Sequence, residues 1–179
     1  LLASKSGNEH AITSLLKCNA NPNYNVAVKS KISSPLTQAV QNTYLSIAQR
    51  LLEAGANVNY QDGQGLSPLH HAALVEKYHL VKLMLEFKAN VHAIDKKKRT
   101  ALHIAIQKTK NMTNASLRIE RLLLQEGSDI NAKDILDRTP LHLAFIHMDT
   151  IPHMHEMLDI YKKVKKFIQE NKKAEALER

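Results

Sequence analysis

The groups in this chain with chemistry to offer are ten histidines, one cysteine and a scatter of carboxylates. His147, Asp149, His153 and His155 supply the ligand types of a zinc site, with a His-x-His pair among them. A metalloprotease helix needs a second histidine four residues after the first, and His155-Glu156-Met157-Leu158-Asp159 does not provide it. Ile151-Pro152 also favours an extended break between the two halves of the cluster. Solvated histidines in a loop and a first helical turn account for these residues without a metal. Serines, histidines and aspartates occur, but no spacing groups them as nucleophile, base and orienter. No glycine-rich loop is present to cradle a phosphate. Cys18 falls near the end of a helical stretch and is expected to be a small buried thiol. The segment is therefore read as non-enzymatic, with no catalytic residue, no metal, no cofactor and no small-molecule ligand.

Three other histidines recur in phase. His70, His103 and His142 each stand fourth in Ser67-Pro68-Leu69-His70, Thr100-Ala101-Leu102-His103 and Thr139-Pro140-Leu141-His142, and Ser34-Pro35-Leu36-Thr37 is a variant of the same motif. Successive motifs lie 33, 33 and 39 residues apart. A second signal keeps step with them: Ala20-Asn21-Pro22-Asn23, Ala56-Asn57-Val58-Asn59, Ala89-Asn90-Val91-His92 and Ser128-Asp129-Ile130-Asn131. Two signals sharing a period near 33 residues mark a repeat array.

The unit Gln61 to Ala93 explains why each repeat needs these residues. Asp62-Gly63-Gln64-Gly65 is turn chemistry, Ser67 is an N-cap, and Pro68 sits at the first helical position, where its missing N–H costs nothing. Leu69, Ala72 and Ala73 give a short helix one small apolar face. Leu80, Val81, Leu83, Met84 and Leu85 give a second helix an apolar surface too wide for one repeat to bury. Stacking on neighbours is then obligatory. Lys88 occupies the helix-ending slot that Gly55 and Gly127 hold in other units.

On these motifs the chain resembles the ankyrin-repeat family, over residues 1 to about 146. The resemblance implies an all-α solenoid of helix-turn-helix units joined by β-hairpin-like turns, with an altered C-terminal helix. The expected units are a partial one over 1–24, then 25–60, 61–93 and 94–132, and the start of a last unit over 133–146. Three extra residues lengthen the turn of the second unit, and six more separate the helices of the fourth, around Lys108 to Asn114. The family's motif histidine bonds the turn backbone and ties adjacent repeats together. That role is expected of His70, His103 and His142, with Thr37 able to donate one such bond.

Residues 147–179 are expected to form the altered last helix and a charged tail. Met154, Met157, Leu158, Tyr161, Val164, Phe167 and Ile168 recur at helical spacing opposite lysines and acids. A cap on the array is the favoured reading, and a partner-binding or membrane-surface helix is the other.

The net charge of +8 has three sources: Lys96-Lys97-Lys98-Arg99 at a turn tip, Lys108 and Lys110 on the insertion, and the lysines of the tail. Such a field can steer acidic partners. Nucleic-acid binding would call for interleaved aromatic side chains or a reading motif, and neither is seen. No apolar run reaches the roughly 20 residues that span a bilayer. A single cysteine excludes an internal disulfide and points to a reducing, intracellular setting, cytoplasmic or nuclear. The sequons at Asn111 and Asn114 then read as chance matches in a polar loop. The chain opens in mid-repeat at Leu1 and reads as part of something longer.

Ankyrin arrays bind other proteins along a concave face of turn tips and first helices, so the resemblance implies a protein-interaction module. Carried onto this sequence, the face comprises Gln61, Gly63, Gln64, Leu66, Leu74 and Val75 in the third unit. It continues through Ile94, Lys96, Lys97, Arg99, Gln107 and Lys108 in the fourth, then Lys133, Ile135, Leu136, Arg138, Ile146 and His147 in the fifth. Ser33, Gln41 and Asn42 extend it into the second. Leu66, Leu74, Val75, Ile135 and Leu136 are expected to be exposed apolar anchors, and Lys96, Lys97, Arg99, Lys108 and Arg138 a basic rim. The partner drawn from this is an acidic protein or peptide with apolar anchors. Two other readings are a substrate-recruiting arm of a larger enzyme, such as a tankyrase-like ADP-ribosyltransferase, and a structural spacer that engages nothing.

Overall fold

The computed structural model describes residues 2–24, 26–28, 31–108 and 114–146. The histidine cluster from His147 to His155, the amphipathic stretch from Met154 to Ile168 and the inserted residues 109–113 lie outside the described residues.

Within them the chain forms α1 (Leu2–Ser6), α2 (Glu9–Lys17), β1 (Val26–Val28), β2 (Lys31–Ser33), α3 (Pro35–Gln41) and α4 (Leu45–Glu53). It continues with α5 (Pro68–Leu74), α6 (Tyr78–Glu86), α7 (Ala101–Lys108), α8 (Asn114–Gln125) and α9 (Pro140–Ile146). The fold is all-α apart from β1 and β2, which pair antiparallel with Val26 opposite Ser33 and Val28 opposite Lys31. Lengthening the second unit's turn has made it a true hairpin.

Local chemistry sets where the first helices begin. Ser34 and Ser67 have extended backbones, and their hydroxyls accept from the N–H of Thr37 and His70. Pro35 and Pro68 follow at the first helical turn. In α5 the cap is reciprocal, but an imidazole takes the place of the usual Glu or Gln: the N–H of Ser67 donates to His70 Nδ1 at 3.1 Å.

The helices pack in two rows. α3 packs on α1, α5 on α3, α7 on α5 and α9 on α7, while α2, α4, α6 and α8 stack as the second row. Close approach in the first row is possible because Ala39, Ala72 and Ala105 leave almost nothing between the backbones, and each is at most 2% exposed. Leu36, Leu69 and Leu102, at the third place of the repeated motif, are at most 1% exposed. Burying each contributes about 2 kcal/mol, shared across two repeats, because one core runs continuously from Ile12 to Leu143.

Cys18 is exposed rather than buried. It caps α2 one residue beyond the helix, and the equivalent Ala54 and Glu126 also face solvent. Phe87, in the same slot of the third unit, is instead half-buried against the core.

Candidate interaction surface

An aspartate organises the turn tip of the third, fourth and fifth units. Asp62 Oδ1 accepts from the N–H of Gln64 at 2.8 Å and of Leu66 at 3.0 Å. Asp95 does the same for Lys97 and Arg99, both at 2.8 Å. Asp134 repeats it for Leu136 and Arg138, at 2.8 and 3.0 Å. In the last two tips an arginine closes on the same carboxylate through two nitrogens. Arg99 reaches Asp95 Oδ2 at 2.9 and 2.6 Å, and Arg138 reaches Asp134 Oδ2 at 2.9 and 2.7 Å. Leu66 stands where those arginines would be, and Asp62 Oδ2 is taken instead by His71 Nε2 at 2.9 Å.

Burial works against the charge on Asp62, but the bonds from His71, Gln64 and Leu66 outweigh it and hold the carboxyl below its ordinary range. Burial opposes ionisation of Asp134 too, and Arg138 with the turn amides overcomes it in the same direction. These acids are fixed anions that shape the tips.

Successive tips are joined by backbone hydrogen bonds. The N–H of Lys96 donates to the carbonyl of Gln64 at 3.0 Å, and that of Ile135 to the carbonyl of Lys97 at 2.9 Å. Gln61 Nε2 adds a link, donating to Gly65 O at 2.9 Å and Ile94 O at 2.8 Å. Gly65 is required where the tips meet: its φ is +76°, and a Cβ there would stand 2.9 Å from Lys96 N.

The motif histidines hold the tips to the helices. Ser67 N–H can only donate, so His70 Nδ1 carries no proton, and Nε2–H donates to the Arg99 carbonyl at 3.0 Å. His103 does likewise, receiving from Thr100 N–H at 3.2 Å and donating to the Arg138 carbonyl at 3.2 Å. Burial lowers the pKa of both rings. His142 receives from Thr139 N–H but is exposed. Thr37 shares a 2.9 Å hydrogen bond with Ser34. The structural role expected of His70 and His103 is met.

The expected binding residues divide by what surrounds them. Gln61, Gln64, Lys96, Lys97 and Lys108 are exposed, and Ile94, Ile135 and Leu136 are 49%, 60% and 65% exposed. Leu66, Leu74 and Val75 are instead half-buried, packed against the core. Arg99 and Arg138 are not a free basic rim, since Asp95 and Asp134 neutralise them. Gln107 is half-buried and accepts from Arg99 Nη1 at 3.1 Å. In the second unit Ser33 is buried, accepting from Gln38 Nε2 at 2.9 Å, while Gln41 Nε2 reaches His71 Nδ1 at 3.3 Å. Sequence reasoning missed the tip aspartates, although the shared Asp-x-x-x-Arg of Asp95–Arg99 and Asp134–Arg138 is a recurring signal.

The family model described as ankyrin repeats (3 copies) matches residues 36–134. The chain belongs to the ankyrin-repeat family, whose repeats are protein-interaction modules. It is 32% identical over 124 residues to alpha-latrocrustotoxin-Lt1a of Latrodectus tredecimguttatus, covering 69% of this chain and 8% of the toxin. It is 34% identical over 137 residues to the transient receptor potential channel pyrexia of Drosophila melanogaster, covering 76% of this chain and 13% of the channel. The nuclear factor NF-kappa-B p105 subunit of Gallus gallus is 31% identical over 148 residues, covering 79% of this chain and 14% of the subunit. The chain thus spans about a seventh or less of these relatives. No helix among the described residues is long and apolar enough to cross a membrane.

Proposed function

We propose that this segment binds a partner protein or peptide along its turn tips and first helices, and that the bound stretch is acidic with apolar anchors. One observation carries the reading. Ile94, Ile135 and Leu136 stand exposed beside Lys96, Lys97 and Lys98, which form no ion pair among the described residues. The neighbouring arginines are already neutralised, so the lysines supply the field that selects an acidic partner. Tips locked by aspartates and by bonds between repeats reduce the ordering cost of binding. A cytoplasmic or nuclear setting belongs to the same reading.

The test is selection from a displayed random-peptide library against the whole 179-residue chain, followed by calorimetry. Selected peptides should be rich in Asp, Glu and aliphatic residues. Lys96→Glu with Lys97→Glu, and separately Ile135→Ser with Leu136→Ser, should each weaken binding about tenfold or more. Peptides that bind both variants as well as the unaltered chain would defeat the proposal. So would a surface that takes up only nucleic acid, with affinity collapsing as salt rises.

A further inference from the structure

Among the described residues the tip ladder has a direction and a last rung. Gln64 O receives Lys96 N–H, and Lys97 O receives Ile135 N–H. Gln64 and Lys97 each stand two residues after their tip aspartate, and Leu136 holds that place after Asp134. The Leu136 carbonyl is therefore the next acceptor in the series, and it receives no hydrogen bond among the described residues. At the other end the N–H of Gly63 is the corresponding donor with no hydrogen bond among the described residues, but its surroundings, Gln61 and Gln64, are polar. Among the described residues, only at the Leu136 end is an open backbone group flanked by exposed aliphatic side chains, Ile135 and Leu136, with lysines in no ion pair one tip behind.

Resting on the binding function proposed above for this face, we infer that the Leu136 carbonyl is the backbone anchor for an extended acidic peptide. The peptide donates one N–H to Leu136 O, just as Ile135 donates to Lys97, and so continues the ladder by one strand-like rung. An aliphatic side chain beside that N–H packs on Ile135 and Leu136. Its acids lie toward Lys96 and Lys97. Packed helices lie about 8–10 Å apart, and an extended chain advances about 3.3 Å per residue. Two such spacings separate the new rung from the Lys96–Lys97 tip, so the acid that meets those lysines falls about five to six residues from the aliphatic anchor. Electrostatic attraction fixes the peptide's direction, and the single N–H fixes its register.

The probe is a peptide selected as above, used with the whole chain in two measurements. Each peptide amide is N-methylated in turn, and Leu136→benzoylphenylalanine is photolysed with the peptide bound. The expected result is one N-methyl position that weakens binding at least about tenfold, next to the aliphatic anchor, with the other positions near neutral, and a cross-link to the peptide. If every N-methylated peptide binds normally while Lys96→Glu with Lys97→Glu still weakens binding, the carbonyl anchor is refuted and the broader binding function survives. A cross-link to residues 147–179 or to a second copy also refutes the anchor, since another occupant then holds the rung. Failure to select any peptide overturns both.

Discussion

His70 Nε2 lies 3.0 Å from the carbonyl oxygen of Arg99, which belongs to the next repeat and to the next turn tip. One neutral ring thereby satisfies a helix cap behind it and a tip ahead of it. His103 and Arg138 repeat the relationship at 3.2 Å. The positions of the Lys96–Lys98 tip and the Ile135–Leu136 tip thus depend on two buried imidazoles.

Replacing His70 with Ala should remove both bonds, leave a void and strand the Ser67 amide. The ring is fully buried, so the expected loss is about 3 kcal/mol of unfolding free energy. His70→Thr copies the second repeat, where Thr37 holds the same place, and should lose clearly less. Urea unfolding followed by circular dichroism checks both. A His70→Ala midpoint indistinguishable from that of the unaltered chain would show that the interrepeat bond adds nothing.

Acid should loosen the array in two stages. His70 and His103 are buried neutral, so their folded pKa values lie below the ordinary 6.5. As pH falls through that value, the unfolded chain takes up protons that the folded chain refuses. Stability therefore declines below about pH 6.5 and goes on falling until the folded values are passed. Asp62 and Asp134 are held below 3.8, so their contribution is intact above that pH and lost as pH drops through their folded values. Thermal melts should show a lower midpoint at pH 5.5 than at pH 7.5, and His70→Thr with His103→Thr should remove most of that difference. A melting temperature unchanged across this range would contradict the assignment.

How much of this was legible depends on how far each interaction reaches along the chain. The Ser67-Pro68 helix start could be read from order alone, because cap chemistry acts within four residues. The role of His70 came only from the family resemblance, since its bond to Arg99 joins residues 29 apart. The exposure of Leu66, Leu74 and Val75 could not be read from order, because it depends on how closely they pack against the core. The pairing of Arg99 and Arg138 with tip aspartates lay in plain spacing, yet counting lysines and arginines together as one basic rim concealed it. Cys18 was misplaced because its position was read as belonging to the helix, when it stands one residue beyond.

Lys88 was visible in advance as a side chain in a glycine slot, and its φ of +61° confirms the left-handed backbone, where Gly55 and Gly127 adopt +86°. An L-residue there carries roughly 1–2 kcal/mol of strain, partly offset because glycine loses more freedom on folding. Lys88→Gly should therefore stabilise the chain by about 0.5–1 kcal/mol, read as a raised urea midpoint at unchanged slope. A lowered midpoint would mean that the Lys88 side chain contributes more than its backbone costs.

Charge reversal should separate the two kinds of basic residue at the fourth tip. Arg99 is 18% exposed and its partner Asp95 only 3%, so Arg99→Glu faces a second carboxylate against a buried one and frees the turn that carries the lysines. Breaking a buried pair costs about 3–5 kcal/mol, and loss of binding by this variant would follow from loss of the tip. Lys96 and Lys97 are exposed and unpaired among the described residues, so Lys96→Glu with Lys97→Glu should shift stability by less than about 0.5 kcal/mol per site. That pair should nevertheless weaken peptide binding, most strongly at low salt. Measuring unfolding and binding on the same samples decides the matter. If the lysine variant unfolds early, or the arginine variant stays folded and binds normally, the division between tip-building and partner-facing charges is wrong.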